Sequence, residues 1–164
     1  MLKPRDRAPD FVRADHRGQT IDTAALRAIG PIVVYFYPRD FTLGCTKEAC
    51  LFRDAFDDLH GSGATIVGVS VDDDASHARF AERYRLPFSL VSDPDRALAR
   101  SFGITRGFGL LGARRVTFVI DRDGSVHTAL HSETSMSAHV DAVRAALGVL
   151  ARPLRPEERT IGRT

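Results

Sequence analysis

The period of the apolar positions changes several times along the chain, and each change marks an expected element. PIVVYFY (31–37) is continuously apolar, β-branched and aromatic between Gly30-Pro31 and Pro38, the pattern of a strand buried on both faces. TIVGVSV (65–71) repeats that pattern. Between the two, Ala49, Phe52, Phe56 and Leu59 recur at steps of three and four, which predicts a helix with one apolar stripe ending near Gly61. A helix is expected over 74–84 and a short strand over FSLVSD (88–93). In DPDRALARSFG, Asp93 is the expected N-cap, Pro94 the first helical residue and Gly103 the C-cap signal. RRVTFVID and SVHTAL read as strands joined through an Asp123-Gly124 turn. In SMSAHVDAVRAALG, Met136, Val140, Val143 and Leu147 form the stripe of a closing helix that Gly148 is expected to stop. Near the N-terminus, FVRADHRGQTI predicts a hairpin turning around Arg17-Gly18.

Strand, helix, strand, helix, then a hairpin and a last helix describe an α/β fold of thioredoxin-like layout. It has a mixed central β-sheet flanked by helices, first strands made parallel by their crossovers, and an N-terminal β-hairpin. At 164 residues the chain can bury one sizeable core, so residues 1–150 are expected to form a single domain. ARPLRPEERTIGRT (151–164) has two prolines, many charges and little to bury, and is expected to be a flexible tail.

Charge and cysteine usage narrow the function. The net charge of +2 lies in the tail, which holds four Arg against two Glu and leaves 19 basic and 19 acidic residues in 1–150. A neutral body argues against nucleic acid as the main partner. No apolar run approaches bilayer-spanning length, and MLKPRDRAPDF is charged and proline-broken where a signal peptide needs an apolar stretch. The expectation is a cytoplasmic protein with no membrane partner. There, the two cysteines of the chain, Cys45 and Cys50, speak for redox or nucleophilic chemistry rather than a structural disulfide, the alternative being two small buried hydrophobes.

Both cysteines lie in FTLGCTKEAC (41–50), with Cys45 where the helix after the first long strand should begin. The first amides of a helix lack intrahelical partners and carry the positive end of its dipole, so a thiolate there is stabilised. Nearby charges cancel, Arg39 and Lys47 against Asp40 and Glu48, so a further cation would have to come from elsewhere in the fold. A structural zinc would need two of His16, His60, His77, His127, His131 and His139, and only His127 with His131 has ligand-like spacing, far from the cysteines. No metal or other cofactor is expected. A Cys-His hydrolase has no local support. The five-residue spacing says more. Five residues of helix advance about 7.5 Å and turn about 500°, leaving the Cα atoms roughly 8.6 Å apart, whereas a disulfide needs less than about 7 Å. The thiols can bond only if the first turns unwind. That suits a nucleophile oxidised by its substrate and captured afterwards by a second thiol, whereas direct disulfide exchange more naturally uses CxxC.

PRDFTLGC, read as Pro38-xxx-Thr42-xx-Cys45, resembles the active-site signature of peroxiredoxins. FYPRDFTLGCTKEAC as a whole is similar to the Q-type branch, also called bacterioferritin comigratory proteins, in which the resolving cysteine follows the peroxidatic one by five residues. The likeness runs from APDF (8–11) through VVYFYP and GVSVDD (68–73) to RVTFVID (115–121), and leaves the tail outside. It implies a thiol peroxidase for hydrogen peroxide and organic hydroperoxides, recycled by thioredoxin or a similar dithiol donor, and a monomer or weak homodimer. It makes Cys45 the peroxidatic nucleophile and Cys50 the resolving thiol, and places the Thr42 hydroxyl and the Gly44 and Cys45 amides around the peroxide. Pro38 and Leu43 would border the pocket. Strand alternation puts Arg114 and Arg115 on opposite faces without choosing between them; the match to R-x-T-F chooses Arg115 as the missing cation. Glu48 would orient that arginine or stand as a solvated helix charge. Thr42 would also serve as a helix cap. The family usually has proline where this chain has Leu43, which can still shield the pocket but does not fix the loop. GFGLLGA (107–113) could line the pocket mouth, make a subunit contact or cover the core. Two other readings compete: a redox-sensing or chaperone-like binding protein switched by the same disulfide, and a disulfide exchanger without its usual CxxC.

Overall fold

The computed structural model describes residues 1–105 and 113–151. A hairpin of β1 (Val12–Ala14) and β2 (Thr20–Asp22) leads into a short helix α1 (Thr23–Arg27). The central sheet is built from β3 (Ile32–Phe36), β4 (Thr65–Ser70), β5 (Ser89–Ser92), β6 (Val116–Ile120) and β7 (Val126–His131), in the order β5-β4-β3-β6-β7. Strands β3, β4 and β5 are parallel, and β6 and β7 are antiparallel to their neighbours, so the sheet is mixed. This is the expected thioredoxin-like architecture. GFGLLG (107–112) and 152–164, the tail but for its first residue, lie outside the described residues.

Strand β3 shows why both faces had to be apolar. Val33 and Tyr35 face a core completed by α2 (Leu43–Asp54), α3 (Phe56–Gly61), α4 (Asp74–Tyr84) and α6 (Met136–Leu150). Ile32, Val34 and Phe36 face a second core with Phe11, Phe102 and Phe118, next to α5 (Ala97–Ser101). Alternation within a continuously apolar strand thus feeds two layers. Gly68 on β4 leaves room for the Tyr35 ring, whose Cζ and hydroxyl would lie 2.9 Å from any Cβ placed there.

Two expected boundaries move and one expected helix is broken. The helix expected to end near Gly61 does end there but turns at Ala55, and its buried stripe is Ala49, Phe52, Ala55 and Leu59, with Phe56 only partly buried. Steps of three, three and four hold that face against the core. Helix α5 begins at Ala97, not at Pro94, because Asp93 to Arg96 form a turn closed by Arg96 N–H on the Asp93 carbonyl, with Arg96 left-handed at φ 60°. Asp93 still supplies the cap: its carboxylate accepts from the amides of Leu98 (3.0 Å) and Ala99 (2.9 Å). Helix α6 runs through Gly148 to Leu150. A glycine inside a helix costs about 1 kcal/mol, and Leu150 packing on the core offsets it.

Candidate active site

The chain leaves β3 through Tyr37 and the half-buried Pro38, then crosses to α2 by Arg39–Thr42. A buried polar cluster pins this crossing. Asp40 is 8% exposed; its Oδ1 accepts from the Tyr37 hydroxyl at 2.6 Å, and its Oδ2 from Ser76 Oγ at 2.9 Å and His77 Nδ1 at 2.8 Å. The Asp40 amide donates to Asp72 Oδ2, which also accepts from Ser70 Oγ. Every oxygen of Asp40 is occupied, so the crossing is tied to β3, β4 and α4 at once. The next residue, Phe41, has φ 62° and lays its ring 5.1 Å from that of Phe80.

Helix α2 then starts with Thr42 as its extended N-cap residue, and the first i to i−4 bond is Thr46 N–H to the Thr42 carbonyl. Leu43, Gly44 and Cys45 therefore stand in the first turn, where amides have no intrahelical acceptor. Cys45 is 1% exposed and its thiol is free; Cys50 is half-buried, also free, and on the same helix. In regular helix they meet the geometric bar to bonding set by their spacing. The Thr42 hydroxyl does not cap the helix; it donates to the Arg39 carbonyl at 3.1 Å and is exposed to solvent. Leu43 is 93% exposed, so the expectation that it shields the site is corrected: at the first helical position its side chain projects into water.

Arg115 stands one residue before β6, the strand beside β3, and is 5% exposed, whereas Arg114 is exposed. Its Nη2 donates to Cys45 Sγ at 3.2 Å and its Nη1 donates to the Glu48 carboxylate in a very short ion pair. Gly44 makes this approach possible, since a Cβ there would sit 3.1 Å from Arg115 Nη2 and 3.3 Å from Met136 Cε. Glu48 is fully buried, so the alternative of a solvated helix charge does not hold. Burial pushes the Glu48 carboxyl up to about 7 against the opposing pull of Arg115. Burial works to lower the Arg115 pKa, but the facing Glu48 and Cys45 prevail and raise it. A guanidinium and a helix N-terminus converge on the sulfur, an arrangement that stabilises negative charge on it.

His139 completes the buried group. Fully enclosed on α6, it places Nδ1 2.8 Å from Thr117 Oγ1 and 3.7 Å from Glu48 Oε1, and Nε2 2.8 Å from the Ser132 carbonyl. Sequence reading had not singled out His139, Thr117, Asp40 or His77 for these positions. His139 carried a usable signal: three residues after Met136 and beside Val140, it is a histidine on the stripe of an amphipathic helix. Asp40 and His77 carried none, because their meeting depends on where α4 packs. Among the described residues, the group of potential metal ligands within mutual reach is Asp40, Asp72 and His77, which includes neither cysteine and is internally hydrogen-bonded. The Cys-His reading loses its base, since the side chain on Cys45 is a guanidinium that holds its proton at any ordinary pH.

Comparison with known proteins agrees with this architecture. The model of the AhpC/TSA family matches residues 4–129. The chain is 40% identical over 134 residues to the chloroplastic peroxiredoxin Q of Populus jackii, covering 81% of this chain and 62% of that protein. It thus spans about three fifths of the length of such plant relatives. Peroxidoxin BcpB of Mycobacterium tuberculosis superposes with a TM-score of 0.87 at 39% identity, covering 93% of this chain and 100% of that one. The bacterioferritin comigratory protein of Xanthomonas campestris, a structure described for alkyl peroxide reduction activity, gives a TM-score of 0.77 at 35% identity over 87% of this chain and 92% of that one. The chain belongs to the AhpC/TSA family and, within it, to the Q-type peroxiredoxins. Among the described residues, no helix is long and apolar enough to cross a membrane.

Proposed function

We propose that this chain is a thiol peroxidase that reduces hydrogen peroxide and organic hydroperoxides through Cys45. The observation that carries the reading is the buried Arg115 Nη2 donating to Cys45 Sγ at 3.2 Å in the first turn of α2. The Cys45 thiolate attacks one peroxide oxygen in line; an S–O bond forms, the O–O bond breaks, and the departing oxygen takes up a proton. Charge moves from sulfur to that oxygen, so catalysis needs donors aimed at its destination. Arg115, the Gly44 and Cys45 amides and the Thr42 hydroxyl are the donors, with Thr42 turning from the Arg39 carbonyl toward the peroxide. Glu48 holds the guanidinium in place. Pro38 borders the entrance.

Cys50 then attacks the sulfenic sulfur, releasing water and forming the Cys45–Cys50 disulfide as the first turns of α2 unwind. Thioredoxin or a similar dithiol reduces that disulfide. The neutral body of 1–150 fits a partner other than nucleic acid, and the setting is cytoplasmic, with the chain a monomer or weak homodimer. The test is peroxide consumption by the reduced protein together with intact mass after one equivalent of peroxide. Wild type should lose the mass of two hydrogens, Cys50→Ser should yield a trappable sulfenic acid, and Cys45→Ser should be inert. A Cys45→Ser protein that consumed peroxide at the wild-type rate would end the assignment. The redox-sensing alternative draws on the exposed Phe41 and Leu43 beside the switch; a single turnover that no dithiol could reset would favour it.

A further inference from the structure

We propose that His139 is a positioning residue of the Cys45 site: its Nδ1 and the free Oε1 of Glu48 share one proton, whose presence decides how much of the Arg115 charge is left for Cys45. This rests on Cys45 being the nucleophile. The Ser132 carbonyl can only accept, so the hydrogen bond at His139 Nε2 places the ring's first proton there and leaves Nδ1 as the nitrogen open to a further one. Nδ1 faces Thr117 Oγ1 at 2.8 Å, and a hydroxyl serves either state, donating to the bare nitrogen and accepting from the protonated one. The other atom it faces, at 3.7 Å, is Glu48 Oε1, which is buried without a hydrogen-bond partner. A buried acceptor without a donor costs free energy, and a proton placed on it or on the facing Nδ1 removes that cost.

Charge balance around the pair gives the proton a function. From α2 the facing groups are Glu48 and Cys45; from the start of β6, Arg115; from the β7–α6 connection, Glu133 and His131, which pair with each other at 3.2 Å. Tyr35, on β3, is close enough to sense both Glu48 and Cys45. With Cys45 ionised, the sulfur and the Glu48 carboxylate oppose Arg115 alone, and a proton on the pair restores neutrality. Once the sulfur is neutral as sulfenic acid or disulfide, Arg115 and Glu48 balance each other and the proton is dispensable. The count closes: thiolate, hydroperoxide and one proton give sulfenic acid and an alcohol or water. Burial raises the Glu48 pKa and lowers that of His139, so at neutral pH and below the proton resides on the carboxyl.

The experiment uses the Cys50→Ser protein, in which Cys45 is the sole thiol, and reads its iodoacetamide alkylation against pH with and without His139→Gln. Gln offers Glu48 Oε1 a fixed N–H, so the carboxylate stays ionised and draws Arg115 away. A unit charge at this range in a protein interior is worth a factor of ten or more. Alkylation should therefore fall about tenfold near pH 6 and less than about twofold near pH 8.5, where the unmodified pair has lost its proton as well. Superimposable profiles, or an equal loss at every pH as a structural defect would give, overturn the proposal. Should His139→Gln fail to fold, nitrogen NMR of the unmutated ring decides: the Nδ1 resonance must shift as the pair loses its proton, and the midpoint of that shift must move when Cys45 is alkylated. A resonance unmoved by both overturns it. Alkylation consumes no peroxide, so a protein that alkylates as expected yet spares peroxide would sink the peroxidase reading alone.

Discussion

Two buried carboxylate–histidine pairs flank the same loop, and they are built differently. In the first, Asp40 and His77 touch at 2.8 Å, and both oxygens of Asp40 hold donors from Tyr37, Ser76 and His77. In the second, Glu48 and His139 stand 3.7 Å apart, one carboxylate oxygen is taken by Arg115 and the other has no partner. His77 Nε2 is buried without a partner, but the Asp40 carboxylate is saturated, and a carboxylate so occupied has one low-energy arrangement and acts as a fastener. An unsaturated one has a place for a proton and responds to charge next to it. The fastener lies three residues before the helix that carries Cys45, and the responsive pair lies within that helix's reach. Fixed backbone on one side and adjustable charge on the other is the division of labour expected of a nucleophile that must be held still and held ionised.

The comparison breaks first at Asp40. Asp40→Ala strips acceptors from two buried donors, Tyr37 and His77, and from the half-buried Ser76, the buried ones each worth about 1–3 kcal/mol when left unsatisfied. Urea unfolding should show a loss of about 4 kcal/mol; a loss below about 1 kcal/mol would mean the cluster fastens nothing. The second pair answers to pH instead. The Glu48 pKa is raised from 4.5 to about 7 in the folded protein, so its contribution to stability is complete below pH 4.5 and is lost as pH rises through about 7. The size is on the order of 3 kcal/mol. Urea midpoints of wild type and Glu48→Gln, taken near pH 5 and pH 8, isolate it, because the constant cost of altering the Arg115 pair cancels between the two pH values. Wild type should lose ground to the variant at the higher pH, and a difference independent of pH would show that Glu48 ionises in place at no cost.

The legibility of these features follows their range along the chain. Strand β3 and helix α4 were readable because their patterns are local, an unbroken apolar run and a compact helical segment. The start of α5 was not, because Asp93 reaches past a left-handed Arg96 to amides five and six residues on, and nothing in DPDRALARS marks that detour. At the site, placing Cys45 in the first turn of a helix came from the residues themselves, whereas Arg115 came from resemblance, since alternation alone could not tell it from Arg114. The buried pairs are the least legible: Asp40 meets His77 across 37 residues and Thr117 meets His139 across 22, distances over which only the assembled sheet decides who meets whom.

The smallest expected effect tests how completely the fastener does its work. Leu43 occupies the first helical position, is 93% exposed and gives its side chain nothing to lose. Proline fits there, because the missing N–H has no intrahelical acceptor and the ring presets φ. Leu43→Pro should therefore stabilise the reduced protein through its unfolded state, by about 0.4–1 kcal/mol. If Asp40 already fixes the crossing, the peroxide rate should change by less than about twofold, a barrier difference of roughly 0.4 kcal/mol. A tenfold gain in rate would show that the loop before Cys45 still samples unproductive positions, and that the polar cluster beneath it holds the backbone less firmly than its hydrogen bonds suggest. The same substitution made on Asp40→Ala distinguishes the cases, since proline should restore part of what the lost cluster supplied only if the two constrain the same four residues, Arg39 to Thr42.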